Sequence, residues 1–348
     1  MKLNISKSRY SYILILLFIV LVLLVGFFSV IGTANINIVD TFRIVGSKLP
    51  IIKNYVDISD IEKSHQTIIW AIRLPRVLLG VLVGSSLSIA GAAFQGIFKN
   101  PMADPYVIGI SSGAALGASI AIVLGINISF INISTISIFA FLGALGAVFI
   151  VYNIARIKNK VPVTTLLLAG VAIGQFLTAI MSFIMVIYSK DMAKIIYWTM
   201  GSLAGKGWDP LIKISIPVFI SMVLINFHAR DLNIMLTGEE SAQSMGVNVE
   251  KTKIYVLILG TFMVSMVVSI AGIIGFVGLI IPHIVRILLG PDNRILLPAS
   301  ALVGGIFMVA ADTIARTVIS PVEIPVGIIT ALFGGPFFLY LLRKSKKQ

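Results

Sequence analysis

The sequence predicts an all-α polytopic membrane protein of about ten transmembrane helices, and three observations predict it. Of the 348 residues 58% are apolar and only 12% are charged, about half the roughly 25% of a soluble domain. The apolar residues fall in long, unbroken runs, and about 20 such residues carry a helix across hydrocarbon. These runs are too continuous for the alternating strands of a β-barrel. The 27 Lys and Arg outnumber the 14 Asp and Glu, for a formal charge of +13. They sit in short islands between the runs, a pattern of membrane topology and not of a nucleic-acid surface. A soluble enzyme, a disordered chain and a nucleic-acid-binding domain are excluded. With no cysteine there is no disulfide framework, thiolate metal site or thiol nucleophile.

Each span must satisfy its backbone N–H and C=O groups internally, which makes it helical. Spans are expected near 11–31, 75–98, 113–126, 135–155, 163–188, 211–228, 254–272, 275–289, 295–315 and 325–342. The first follows Lys2, Lys7 and Arg9; it is longer than a secretory signal core and lacks a small-x-small cleavage site, so it reads as an uncleaved span. The second opens at Pro75, whose missing N–H costs nothing in a first turn. The third and eighth are short and are expected to be tilted or buried in the bundle. The chain reads as one transmembrane domain over 1–348, with an outer loop at 32–66 and an inner loop at 229–253.

Basic residues next to spans favour the cytoplasmic side. With both termini inside, sixteen of the 27 basic residues and six of the 14 acids fall on the inner side. The net charge then divides as +10 inside and +3 outside.

Thirty glycines point to close helix packing, since small-x-x-x-small spacings such as Gly80/Gly84, Gly113/Gly117 and Gly170/Gly174 let backbones approach in lipid. The string Ser88-Ile-Ala-Gly91 precedes Pro101 as Ser269-Ile-Ala-Gly272 precedes Pro282, and Gly109 then matches Gly290. The two segments cross in opposite directions, which suggests an inverted repeat, an architecture of transporters.

No phosphate loop is present; Gly201-Ser-Leu-Ala-Gly205-Lys206-Gly207 has the wrong spacing. His65, His228 and His283 lack helical partners and read as ordinary histidines, so no metal is expected. Met181/Met185 and Met263/Met266 read as core packing. No nucleophile–base set stands out, and no cofactor is expected. Arg73 and Arg76, flanking Pro75, lie at the outer mouth, where they either anchor the interface by snorkelling or dock an acidic partner. Asp312 and Arg316 are four apart and could pair along a helix. In the inner loop, Leu232 to Gly246 reads as two short amphipathic helices broken at Gly238, with Thr237 and Glu240 placed for a capping box. Such a loop either lies on the membrane or couples to a cytoplasmic partner.

Several strings then carry a resemblance. They are Arg73-Leu-Pro-Arg76, Gly91-Ala-Ala-Phe-Gln-Gly96, Asn100-Pro-Met-Ala-Asp-Pro105, Gly109-Ile-Ser-Ser-Gly-Ala114, Trp198-Thr-Met-Gly-Ser202 and Gly275-Phe-Val-Gly-Leu-Ile-Ile-Pro-His283 with Arg286. Gly290-Pro-Asp-Asn-Arg294, Ala311-Asp-Thr-Ile-Ala-Arg316, Pro321-Val-Glu-Ile-Pro325 and Gly334-Gly-Pro336 follow. In this order and over nearly the whole chain, they resemble the FecCD permease subunits of binding-protein-dependent ABC importers for iron–siderophore, haem and vitamin B12. The outer segment 32–66 is the departure.

The resemblance implies a ten-span permease in the cell membrane, paired with a second permease copy or a related chain around a central path. It implies an ATPase subunit beneath each copy and an extracytoplasmic substrate-binding protein above. Arg73, Arg76 and Arg316 match the docking contacts for that protein. Leu232, Leu236, Gly238, Glu239, Glu240 and Gly246 match the coupling segment for the ATPase. By family analogy the path runs along span five, at Leu166, Gly170, Gly174 and Thr178, although the glycine pair serves packing equally well. Iron–siderophore is the expected cargo, with ATP hydrolysis on the partner and none by this chain. A carrier driven by an ion gradient is the competing reading; it needs an intramembrane carboxylate, for which Asp312 is the candidate.

Overall fold

The computed structural model describes residues 8–32, 34–50, 52–125, 133–158 and 160–345. Lys2, Lys7, Lys346 and Lys347 of the inner basic islands, and residue 126 at the end of the third expected span, lie outside the described residues. The helices are α1 (Ser8–Val30), α2 (Ile38–Lys48), α3 (Lys63–Thr67), α4 (Leu74–Phe98), α5 (Ile110–Leu124), α6 (Thr135–Ala155), α7 (Val163–Ile187) and α8 (Met192–Thr199). They continue as α9 (Trp208–Phe227), α10 (Ala229–Met235), α11 (Glu239–Ser244), α12 (Val249–Ala271), α13 (Val277–Leu289), α14 (Asn293–Thr317) and α15 (Val326–Ser345). Among the described residues seven helices are long and apolar enough to cross a membrane, and α5, α13 and the apolar part of α15 are shorter. These ten helices are the expected spans.

Helix α4 is the centre of the bundle and packs against α14, α13 and α12. Its glycines explain the closeness. A Cβ on Gly84 would collide with the carbonyl oxygen of Gly304, and one on Gly91 with that of Gly278. Gln95, buried beside them, donates to Ala103 O at 3.3 Å and Leu279 O at 3.2 Å. Helices α4 and α14 run antiparallel, with Ser85 Oγ donating to Ala301 O at 2.7 Å midway.

Pro75 stands in the first turn of α4, as expected, but helical backbone continues upstream of it. The helix begins at Lys63 and runs to Phe98, with a π-turn over Ile68–Arg73 immediately before the proline. A π-turn lets the backbone pass a residue that cannot donate. Trp70 O, five residues before Pro75, instead accepts the indole N–H of Trp208 at 2.7 Å, and the two indole rings lie 4.9 Å apart.

The segment 34–62 contains α2 and supplies Ile36, Ile44 and Ile61 to a small buried core that Ile69 of the π-turn completes. Arg43 pairs with Asp60 at 2.6 Å on its surface; hydrogen bonds from that guanidinium hold the Asp60 carboxyl below its ordinary range.

The two matching strings occupy different local structures. Gly91 sits inside α4, whereas Gly272 ends α12 with φ +73°; Pro101 is in a loop and Pro282 inside α13. What the strings share is a positive φ at Gly109 and Gly290.

The bundle has two polar faces. One, the arginine face, holds the end of α1, Arg73, Arg76 and the end of α14. The other, the loop face, holds α10, α11 and the start of α14, where Tyr10 Oη donates to Asp292 Oδ2 at 3.4 Å.

Candidate functional site

On the arginine face the three arginines are buried, with Arg73 4%, Arg76 6% and Arg316 5% exposed. Arg76 spans two carboxylates. Its Nε and Nη2 donate to Asp312 at 2.9 and 3.0 Å, and its Nη1 donates to both oxygens of Glu323 at 2.9 Å. The bidentate geometry is the strong form of a charge-assisted hydrogen bond. Arg73 and Arg316 hold the end of α1. Arg73 donates to Val30 O and, at 2.6 Å, to Ala34 O; Arg316 Nη2 donates to Phe28 O at 2.6 Å and to Thr313 Oγ1 at 3.2 Å. The last carbonyls of a helix lack internal partners and carry the negative end of its dipole, so a cation is favoured there. Gly32 makes room for this, since a Cβ there would collide with the Arg73 guanidinium.

The sequence leaves Arg73 and Arg76 as interface anchors or docking groups and allows Arg316 to pair with Asp312. Instead Asp312 belongs to Arg76, and the side chains turn inward because charges at this depth need internal partners. The Nε of Arg316 has no hydrogen-bond partner. Glu323 was missed as a chemical group, although its place between two spans in Pro321-Val-Glu-Ile-Pro325 puts it at the level of Arg76.

On the loop face α10 and α11 meet at Gly238, whose φ of +124° makes the expected break. The capping box of Thr237 and Glu240 does not form: Thr237 Oγ1 donates to Ile234 O at 2.8 Å, and Gly238 takes the cap of α11 with no side-chain bond, while Glu239 pairs with Lys253 at 2.7 Å. Leu232 is fully buried against Gly96 of α4, so it anchors α10 and cannot meet a partner. Leu236 and Met245 are exposed, as are Glu240 and Gly246. Asn233, unremarked in the sequence, ties α10 to α14: its Nδ2 donates to Asp292 Oδ1 at 2.6 Å and its Oδ1 accepts Asn293 N at 2.8 Å.

Between the faces, a segment folds back into the bundle after α4. Asp104 caps its 3₁₀ turn, Pro105–Ile108, by accepting Tyr106 N–H at 2.8 Å. Desolvation pushes the Asp104 carboxyl up to about 6, against the lowering effect of that bond. Tyr106 Oη donates to Ile274 O at 3.1 Å, in the break between α12 and α13.

The expected path residues form the packed stripe of α7. Leu166 is 2% exposed, Gly170 admits the backbone of Val107 and Ile108, Gly174 faces Ser112, and Thr178 Oγ1 lies 3.4 Å from Ser112 Oγ. Spaced by four, they share one helix face, and that face meets α5 and the turn before it. The opposite face, with Thr164, Leu168, Val171, Gln175, Phe176 and Ala179, is exposed. A cavity of about 500 Å³ between α6, α7 and α12 and another of about 710 Å³ between α1, α4, α9 and α14 are both lined mainly by apolar side chains.

Residues 13–344 match the FecCD transport family. The cobalamin import system permease protein BtuC of Halobacterium salinarum is 49% identical over 285 residues, 81% of this chain and 75% of that protein. The hemin transport system permease protein HmuU of Yersinia pestis is 39% identical over 283 residues, covering 80% and 84%. The Fe(3+)-citrate import system permease protein YfmD of Bacillus subtilis is 36% identical over 344 residues, 98% of each chain. A solved structure described as an inward-facing conformation of a metal-chelate type ABC transporter superimposes with a TM-score of 0.81 at 30% identity, over 96% of this chain and 99% of that one. With its ten apolar helices and a match that spans nearly its whole length, the chain belongs to the FecCD transport family.

Proposed function

We propose that the chain is the membrane permease of an ABC importer for a metal chelate, with iron–siderophore as the leading cargo and haem and cobalamin as related ones. An ATPase subunit supplies the energy, and an extracytoplasmic substrate-binding protein delivers the cargo. The family match over residues 13–344 carries this reading, and the division of chemistry in the bundle supports it. Charged clusters sit at the two faces, while the exposed side of α7 is mostly apolar, which suits a path that binds a bulky chelate weakly. A charge in mid-membrane would cost several kcal/mol, about 3 on insertion scales.

In this reading α7, only 6% buried in its apolar window, meets a second permease copy or a related chain. The path runs past Thr164, Leu168 and Gln175, while Leu166, Gly170, Gly174 and Thr178 hold α7 in place. The loop face is cytoplasmic, as are both termini, in the plasma membrane. The ATPase meets Leu236, Gly238, Glu240, Met245 and Gly246, with Leu232 and Glu239 fixing the element from behind. The binding protein docks on the arginine face. There Glu323, with 40% of its side chain exposed, covers Arg76 and is the group an incoming acid would displace; Arg73 and Arg316 stand beside it. The carrier reading loses its carboxylate, because Asp312 is already engaged by Arg76.

Reconstitution of permease, ATPase and binding protein in vesicles tests the proposal, with ferric citrate, haemin and cobalamin as probes. Uptake is expected to require ATP and the ATPase subunit. Uptake that persists without either sinks it.

A further inference from the structure

A buried lysine stands where three elements of the loop face meet. Lys253, in the second turn of α12, is 3% exposed; its ammonium lies 2.7 Å from Glu239 Oε1 and 3.0 Å from Glu250 Oε1. The other oxygen of Glu250, Oε2, accepts the N–H of Val161 at 3.0 Å. Val161 is buried and immediately precedes Pro162, the cap from which α7 starts. Glu239, Lys253, Glu250 and Val161 thus form an unbroken polar chain from α11 to the foot of α7.

Stability alone explains this chain poorly. A buried ion pair is costly to desolvate, and replacing it with apolar groups is often neutral or stabilising. What such a pair supplies well is a fixed register between elements that packing leaves free. Packing leaves α11 free here and holds α7 along one stripe only. Helix α11 buries a single residue, Ala242, and α7 is the least buried of the long spans. Helix α10, by contrast, is pinned to the bundle by Leu232 and by Asn233 on Asp292.

Resting on the importer reading, we propose that Lys253 is a positioning residue that passes displacement of α11 to the foot of α7 through Glu250. A push on α11 would then move the span that bears the exposed face, while α10 and α14 stay in register. The network is a series of direct contacts that joins a helix with little other anchorage, α11, to one that packs along a single stripe, α7.

The full complex with ATPase and binding protein in vesicles provides the test, read as cargo moved per ATP hydrolysed with the same three probes. Lys253→Met is expected to lower that ratio about tenfold, the scale of a coupling-network change, while Lys253→Arg holds it within about twofold. The ATPase subunit should still co-purify with both. Because Lys253→Met strands two carboxylates, Glu239→Gln is made alongside; it loosens only the α11 limb, at a half-exposed side chain, and should lower the ratio in the same direction. Spin labels at Gln243→Cys on α11 and Thr164→Cys on α7 add a readout that a merely structural role would not move. In the wild type ATP should shift both labels; with Glu239→Gln only the α11 label should shift. An unchanged ratio or an unchanged α7 shift in that variant overturns the proposal alone. A wild-type complex that imports none of the probes with ATP overturns the importer reading and the proposal with it.

Discussion

Helices α4 and α7 each have 25 residues, and their best apolar windows have nearly the same mean hydropathy, yet 83% of one window is buried and 6% of the other. In water, equal hydropathy would drive equal burial. In lipid it drives neither helix against protein, because the surrounding tails are as apolar as the side chains. What separates the two is small residues and polar groups. Helix α4 carries Gly84 and Gly91 at backbone crossings and Ser85 and Gln95 on backbone carbonyls of its neighbours. Helix α7 packs along one stripe only, and its other side is left for a partner or a cargo.

Substitutions of one kind in both helices give the largest contrast. Gly91→Leu forces a side chain into the carbonyl of Gly278. Overpacking is costly even where neighbours can shift, and a backbone carbonyl cannot, so folded protein should be lost outright in size-exclusion profiles of solubilised membranes. Ala172→Leu, on the exposed side of α7, should leave the profile unchanged and reduce uptake; an equal loss of folded protein from both would erase the distinction between the helices.

A smaller effect is expected at the foot of α4's polar contacts with α14. Arg76→Met leaves Asp312 buried and unpaired, a loss on the order of 3–5 kcal/mol, visible as a lowered thermal midpoint in detergent. Adding Asp312→Asn should restore much of it, since the orphaned charge is what costs. If the double variant is no better than the single one, Glu323 and not Asp312 is the main partner of Arg76.

The smallest effect belongs to the turn that follows α4 and packs against Gly170 of α7. Desolvation pushes the Asp104 carboxyl up to about 6, above its unfolded value, so the fold binds the proton more tightly. Its contribution favours folding at low pH and is lost as pH rises through that value. Asp104→Asn should therefore raise the thermal midpoint at about pH 8 and change it little at about pH 4. A midpoint gain equal at both values would mean that the carboxyl is well solvated.

The spans were legible because hydrocarbon thickness sets helix length, and α6 and α7 fall within a residue of their expected ranges. The helix upstream of α4 was not, since Pro75 signals a first turn and nothing local announces the π-turn that continues the backbone before it. The burial of the arginines was hidden for a related reason. Two of them bond to backbone carbonyls of α1, and a carbonyl leaves no mark in the residue pattern. Thr237 shows the limit of cap motifs, because its hydroxyl found Ile234 O behind it before the N–H groups ahead. In α7 the Gly170/Gly174 pair left packing and path both open, because the spacing of small residues does not say whether they face protein or path.

The clamp on α1 also orders the assembly of the molecule in time. Its carbonyl at Phe28 receives a donor from a residue 288 positions later, and its carbonyl at Val30 from one 43 positions later. Helix α1 is therefore half fastened once Arg73 has emerged and fully fastened only after α14 has. Until then its Phe28 carbonyl must be hydrated at the membrane surface, and the arginine face is completed only when α14 is in place.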